Sequence, residues 1–170
     1  MKLAFAILIA FSLSACYPTY NWRAVNNETF SWQALFPTKP KIVERSLSVS
    51  IESKKENILI NRYSSVVENT SFVIETASFL SKNQNLKLLQ KVIDKNLITN
   101  FNLKPLGNEI SNGYKKYRGW ILSGDGSSKR QITIYCKYIF RGSALIRVVV
   151  IGGSNKFSNE QAVFFINSIN

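Results

Sequence analysis

From Thr29 onward, apolar and polar residues alternate with the period of two expected of half-buried strands. Phe30, Trp32 and Ala34 fall on one side of Thr29–Phe36, with Ser31, Gln33 and Leu35 on the other, and the run ends at the turn Pro37-Thr38-Lys39-Pro40. Lys41–Ile51 follows, with Val43, Leu47, Val49 and Ile51 on the side predicted to be buried and Arg45 as the exception. Ser53–Asn57 reads as a charged turn, and Ile58–Val67 and Ser71–Phe79 read as strands joined by the short loop Glu68-Asn69-Thr70.

Between Asn85 and Phe101 the period changes. Leu86, Leu89, Val92, Ile93, Leu97 and Phe101 share one face of a helix, while Lys87, Lys91 and Lys95 recur every fourth residue on the outer face, partly neutralised by Asp94. Leu103–Ile110 is a short strand that Pro105 confines to an edge or an end. Tyr114–Ser123 and Lys129–Arg141 flank the hairpin loop Gly124-Asp125-Gly126-Ser127-Ser128. After the turn Gly142-Ser143, Ala144–Ile151 is apolar on both sides apart from Arg147, the pattern of a central strand covered by a helix. Gly152-Gly153-Ser154-Asn155 breaks it. Ser158, with Gln161 three residues on, opens a closing helix whose Ala162, Phe165, Ile166 and Ile169 form an apolar stripe.

This order of elements resembles the PsbP-like fold. The likeness rests on the run Phe30-Ser31-Trp32-Gln33-Ala34-Leu35-Phe36-Pro37-Thr38-Lys39-Pro40, on the strand pair around Gly142-Ser143 and on the ending Phe164-Phe165-Ile166-Asn167-Ser168-Ile169. The chain is also similar to a group of proteobacterial envelope lipoproteins that begin with a run like Tyr20-Asn21-Trp22-Arg23. The resemblance implies an α+β domain, an antiparallel β-sheet with helices packed on its faces, used for binding or assembly. A fold does not carry a function with it, and no functional residue of that family has a counterpart here.

The amino terminus sets the expected address. Met1-Lys2 and the apolar run Leu3–Phe11, too short to span a bilayer, lead to Leu13-Ser14-Ala15-Cys16, which resembles the lipobox of bacterial lipoproteins. The resemblance implies a signal peptide over 1–15, cleavage before Cys16, an N-acyl diacylglyceryl lipid on Cys16 and no other cofactor. A lipidated tether over 16–28, in which Tyr17–Asn27 shows no period, then leads into a single domain over 29–170. Tyr17 rather than Asp follows Cys16, which in Gram-negative lipoproteins points to the outer membrane, with the domain facing the periplasm.

Charge and chemistry narrow the expectation further. The net charge of +12 falls by one when Lys2 leaves with the leader; it favours anionic envelope components as partners or serves solubility alone. Nucleic acid is not expected as a partner outside the cytoplasm. There is no histidine, which removes Ser-His-Asp and Cys-His catalysis. Cys136, left alone once Cys16 is acylated, sits in a strand pattern as a small buried hydrophobe. Gly124–Lys129 lacks the Walker spacing, and neither a metal site nor paired carboxylates are indicated. The candidate surface for an anion or partner comprises Lys87, Lys91 and Lys95 on the helix, with Lys116, Arg118, Lys137 and Arg147 on the strands. The tract Tyr114-Lys115-Lys116-Tyr117-Arg118-Gly119-Trp120 reads either as an anion or sugar platform or as a half-exposed sheet face. The resulting expectation is a non-catalytic binding or assembly module; the alternative is a carrier holding lipid or glycan between helix and sheet. Cys16→Ala is expected to accumulate unprocessed precursor, read as the intact mass of the membrane-associated protein; normal maturation would remove the lipobox assignment.

Overall fold

The structure, a computed structural model, describes residues 19–81, 85–106, 113–122, 128–153 and 157–170. The chain runs β1 (Arg23–Asn27), β2 (Trp32–Phe36), β3 (Lys41–Ile51), β4 (Lys54–Val67), β5 (Thr70–Phe79), α1 (Leu86–Asn100), β6 (Lys104–Pro105), β7 (Lys115–Leu122), β8 (Lys129–Arg141), β9 (Ala144–Gly153) and α2 (Asn159–Asn167). Strands β3 to β9 form one antiparallel sheet in the order β3-β4-β5-β9-β8-β7-β6, and β1 pairs with β2 in a separate two-stranded ribbon. Cys16, the loop Gly124–Ser127 and Ser154-Asn155 lie outside the described residues.

The expected α+β class, an antiparallel sheet with helices packed on it in the PsbP-like manner, is corrected by this architecture. The protein is mostly β, with 58% strand and 18% helix, two helices, a seven-stranded and a two-stranded sheet. The difference arises in polar stretches that carry no periodic signal. Lys54–Asn57, expected as a turn, belongs to β4, and the reversal shrinks to Glu52-Ser53 at φ 48° and 68°. Glu68-Asn69, at φ 48° and 63°, makes the next reversal, so both hairpins use two-residue turns whose positive φ matches the twist of the flanking strands. Strand β1, expected as tether, is held by its ladder to β2, with Arg23 opposite Phe36 and Asn27 opposite Trp32.

The sheet is covered on both faces. On one, Phe72 and Ile74 of β5 and Val148 and Val150 of β9 meet Phe165 and Ile166 of α2 together with Trp32, Ala34 and Phe36 of β2. The Trp32 indole N–H donates to Thr76 Oγ1 at 3.1 Å, satisfying two buried polar groups at once. The backbones of Gln33 and Asn170 exchange two hydrogen bonds, at 3.1 and 3.2 Å, which ties the C-terminus to β2. Ser158 caps α2 as its sequence pattern predicts, accepting from the Gln161 N–H at 3.3 Å.

On the other face α1 lies along the sheet. Leu89 packs on Ile51, Ile58, Ala77 and Leu145, and Leu97 packs on Leu103, Tyr117, Ile134 and Cys136. Asn85 caps this helix by accepting from the Lys87 N–H at 2.9 Å. After α1 the chain turns back against β7 at Gly119, where a Cβ would stand 2.6 Å from the Phe101 carbonyl oxygen and closer still to Leu103 Cδ2. The Phe101 oxygen also accepts the Trp120 N–H at 3.0 Å, so the backbone cannot simply retreat. Gly119→Ala is therefore expected to destabilise the protein by about 1–3 kcal/mol, the range for overpacking a close contact. Equilibrium urea denaturation reads this directly, and wild-type stability in the variant would refute the tight approach.

Candidate functional site

Beneath α1 a row of polar side chains crosses four strands. Strand register places Arg62 of β4 beside Glu75 of β5, Glu75 beside Arg147 of β9, and Arg147 beside Tyr138 of β8. Arg62 Nε donates to Glu75 Oε1 at 2.5 Å and Arg147 Nε donates to Oε2 at 2.8 Å, each supported by a second guanidinium contact. The Tyr138 hydroxyl donates to Asp94 Oδ1 at 3.1 Å, and Lys115 Nζ lies 3.5 Å from Asp94 Oδ2, so the row continues onto α1 and β7.

Burial sets the electrostatics. It pushes the Glu75 carboxyl up, but the charges and hydrogen bonds of Arg147 and Arg62 together outweigh it and hold the group below its ordinary value. Burial also raises the Tyr138 hydroxyl well above its usual range. The Cys136 thiol is pushed up to about 12, mainly by burial, which leaves it protonated and unreactive at neutral pH.

Beside this row an open groove of about 370 Å³ lies between α1 and strands β3, β4, β5 and β9. Leu47, Val49, Ile58 and Ile60 line it from the sheet, and Val92, Ile93 and Leu97 line it from the helix. Arg62, Glu75 and Arg147 add charged groups to the sheet side, and Asn96 and Asn100 add polar ones to the helix side. Two guanidinium groups against one carboxylate leave a surplus positive charge next to an apolar trough. The groove exists because β3 extends beyond the cover of α1, leaving Leu47 45% exposed at its lip.

The seven cations expected to share a surface are divided among three places. Lys87, Lys91 and Lys95 line the solvent side of α1, while Asp94, expected to temper them, turns inward to Tyr138 and Lys115. Lys116, Arg118 and Lys137 project on the α2 side of the sheet, as their register with Tyr135, Thr133 and Val148 requires. Lys116 Nζ stands 5.1 Å from the centroid of the Tyr135 ring and 3.5 Å from Asn159 Oδ1. Arg147 points to the opposite side and is spent on Glu75.

Sequence reasoning missed Glu75 and Arg62. A signal existed: Glu75 and Arg147 are the lone charges in two otherwise uncharged strands, and they have opposite sign. Among the described residues no three His, Cys, Asp or Glu side chains gather to hold a metal ion, and no helix among them is long and apolar enough to cross a membrane.

No family model, no curated protein and no solved structure matches this chain. The functional reading therefore stands on the geometry.

Because Glu75 titrates lower in the folded than in the unfolded chain, its stabilising contribution is present above the ordinary carboxylate range. That contribution disappears as pH falls through the folded value. Glu75→Gln, which strands the buried Arg147, is expected to cost about 3–5 kcal/mol at neutral pH. The gap to wild type should close as the solution is acidified, when wild-type Glu75 also becomes neutral. Urea titrations at a series of pH values test both the size and the sign, and a gap independent of pH would refute the ion-pair account.

Proposed function

We propose that this chain is an outer-membrane lipoprotein whose periplasm-facing domain binds an amphiphilic anion in the groove beneath α1 without transforming it. The observation that carries this reading is the apolar trough bordered by the Arg62–Glu75–Arg147 row. A scaffold needs only a filled core and an outer patch, whereas a carrier needs apolar space between helix and sheet. The groove's volume falls within the ordinary range of small-molecule sites, about 300–1,000 Å³. An alkyl chain would lie along Leu47, Ile60 and Val92, and its acidic group would meet Arg62, whose side chain is 52% exposed and so can leave Glu75 in part.

A second reading, assembly, draws on β3. It stands at the edge of the sheet in an eleven-residue ladder with β4, and its other edge faces no described strand. Such an edge can add a strand from a partner, although Lys41, Glu44 and Arg45 along it are the kind of charges that discourage indiscriminate pairing.

A fluorescent long-chain carboxylate is expected to bind the full-length protein saturably. Binding should weaken about tenfold in Arg62→Gln, the scale of one charge-assisted hydrogen bond. It should be abolished in Asn96→Trp, which fills the groove from an exposed helix position. Absence of saturable binding, or binding indifferent to Asn96→Trp, would overturn the groove as the site and leave assembly through β3 as the better reading.

A further inference from the structure

The described chain begins on the α2 side of the sheet, at the end marked by the β4–β5 turn. The Tyr20 and Trp22 rings meet Phe72 edge-on at 6.1 and 6.0 Å, and Trp22 also packs on Phe164 at 4.7 Å. Phe72 lies just beyond the turn Glu68-Asn69, and Glu68 is close enough for its charge to add to burial in raising the Tyr20 hydroxyl pKa. Tyr20 is thus a docked residue, four positions after Cys16. Four residues reach at most about 14 Å when fully extended. An acyl chain on Cys16 therefore holds this end of the domain close to the bilayer.

Strands β7 and β8 run past the end of β9 at this same end. Gly153 of β9 is opposite Ile132, and the ladder of β7 and β8 continues through Trp120 opposite Gln131 to Leu122 opposite Lys129. By alternation Trp120 and Leu122 share the α2 side with Arg118, whose partner on β6 is Lys104. Trp120 is 43% and Leu122 65% exposed. The strip Lys104, Arg118, Trp120, Leu122 and Lys129 therefore combines an interfacial aromatic, an exposed aliphatic side chain and three cations, with no acidic residue among the described positions of its register. It lies on the same face as Tyr20, with β7 three strand spacings, about 14 Å, from β5.

We propose that this strip rests on an anionic phospholipid bilayer, with Trp120 and Leu122 at the headgroup level and Lys104, Arg118 and Lys129 against lipid phosphates. This rests on the lipid-anchor reading of Cys16 and adds to it a second attachment that fixes the orientation of the domain. Tryptophan favours the membrane interface because its ring is apolar and its N–H is polar, and basic side chains beside it gain from the negative surface potential. The lysine line on α1 plays no part, since it lies on the solvent side of the helix that covers the opposite face of the sheet.

The test uses the protein purified from membranes and reconstituted in vesicles of phosphatidylglycerol mixed with brominated phosphatidylcholine, with the mass of the N-terminal peptide reporting the state of Cys16. Of the three tryptophans, Trp32 is buried, so fluorescence quenching by bromine reports on Trp120 and Trp22, and Trp120→Phe separates them. Quenching is expected in wild type and should be largely lost in Trp120→Phe. It should fall severalfold when Lys104, Arg118 and Lys129 are together replaced by Gln, and should be unchanged when Lys87, Lys91 and Lys95 are. If Cys16 carries lipid and Trp120 is not quenched, the strip proposal is overturned while the anchor stands. If Cys16 carries no lipid and Trp120 is still quenched, the strip stands and the anchor reading falls. Equal quenching in vesicles lacking phosphatidylglycerol overturns the assignment of an anionic surface.

Discussion

Burial of β5 and β9 on both faces is the constraint around which the other elements are arranged. Two adjacent strands in the middle of an antiparallel sheet have little water on either side, so most of their side chains must find apolar contact or a polar partner. Phe72, Ile74, Val148 and Val150 on one side require α2 and the Trp32–Phe36 strand. Ala77, Leu145 and Val149 on the other require α1. Farther out, β3 loses this cover and becomes a ladder of mostly exposed residues held by its pairing with β4.

The same constraint explains the charged row. A carboxylate at position 75 and a guanidinium at position 147 in doubly covered strands are tolerable only as a pair, because either alone would forfeit hydration without compensation. Arg62, at the edge of the cover, makes the second contact to Glu75 and leaves the group with a net positive charge. That charge stands next to the uncovered apolar residues of β3 and β4, the combination on which the proposed binding of an amphiphilic anion rests. Cys136 and Tyr138, whose protons are held firmly by burial, add packing and a hydrogen bond to Asp94 rather than reactivity.

The two faces divide the work. The α2 face receives the amino-terminal segment through Tyr20 and Trp22 and carries the aromatic and basic strip of β7. The α1 face carries the groove. In the proposed arrangement, a domain lying on the strip would keep the groove on the far side of the sheet, away from the bilayer.

Much of this was legible residue by residue. The alternation in Lys129–Arg141, the helical spacing from Leu86 to Phe101 and the Ser158 cap all describe local geometry, and local geometry leaves a local pattern. Where strands are held by pairing rather than burial the pattern is silent, as at Arg23–Asn27 and Lys54–Asn57, and that silence led to the α+β expectation for a mostly β protein. The cations were legible only in part. Alternation tells that Lys116 and Arg118 share a side of β7, but not that Arg147 meets Glu75, since that depends on how strands about seventy positions apart are aligned. Sequence by itself therefore determined the kind of most elements and the apolar side of α1, α2 and β2, because periodicity is written within a single segment. The side of β3 expected to be buried is covered only in part, with Leu47 left exposed. Strand order, register and the meeting of opposite charges were decided only by the tertiary structure, because backbone hydrogen bonds between distant strands have no side-chain signature.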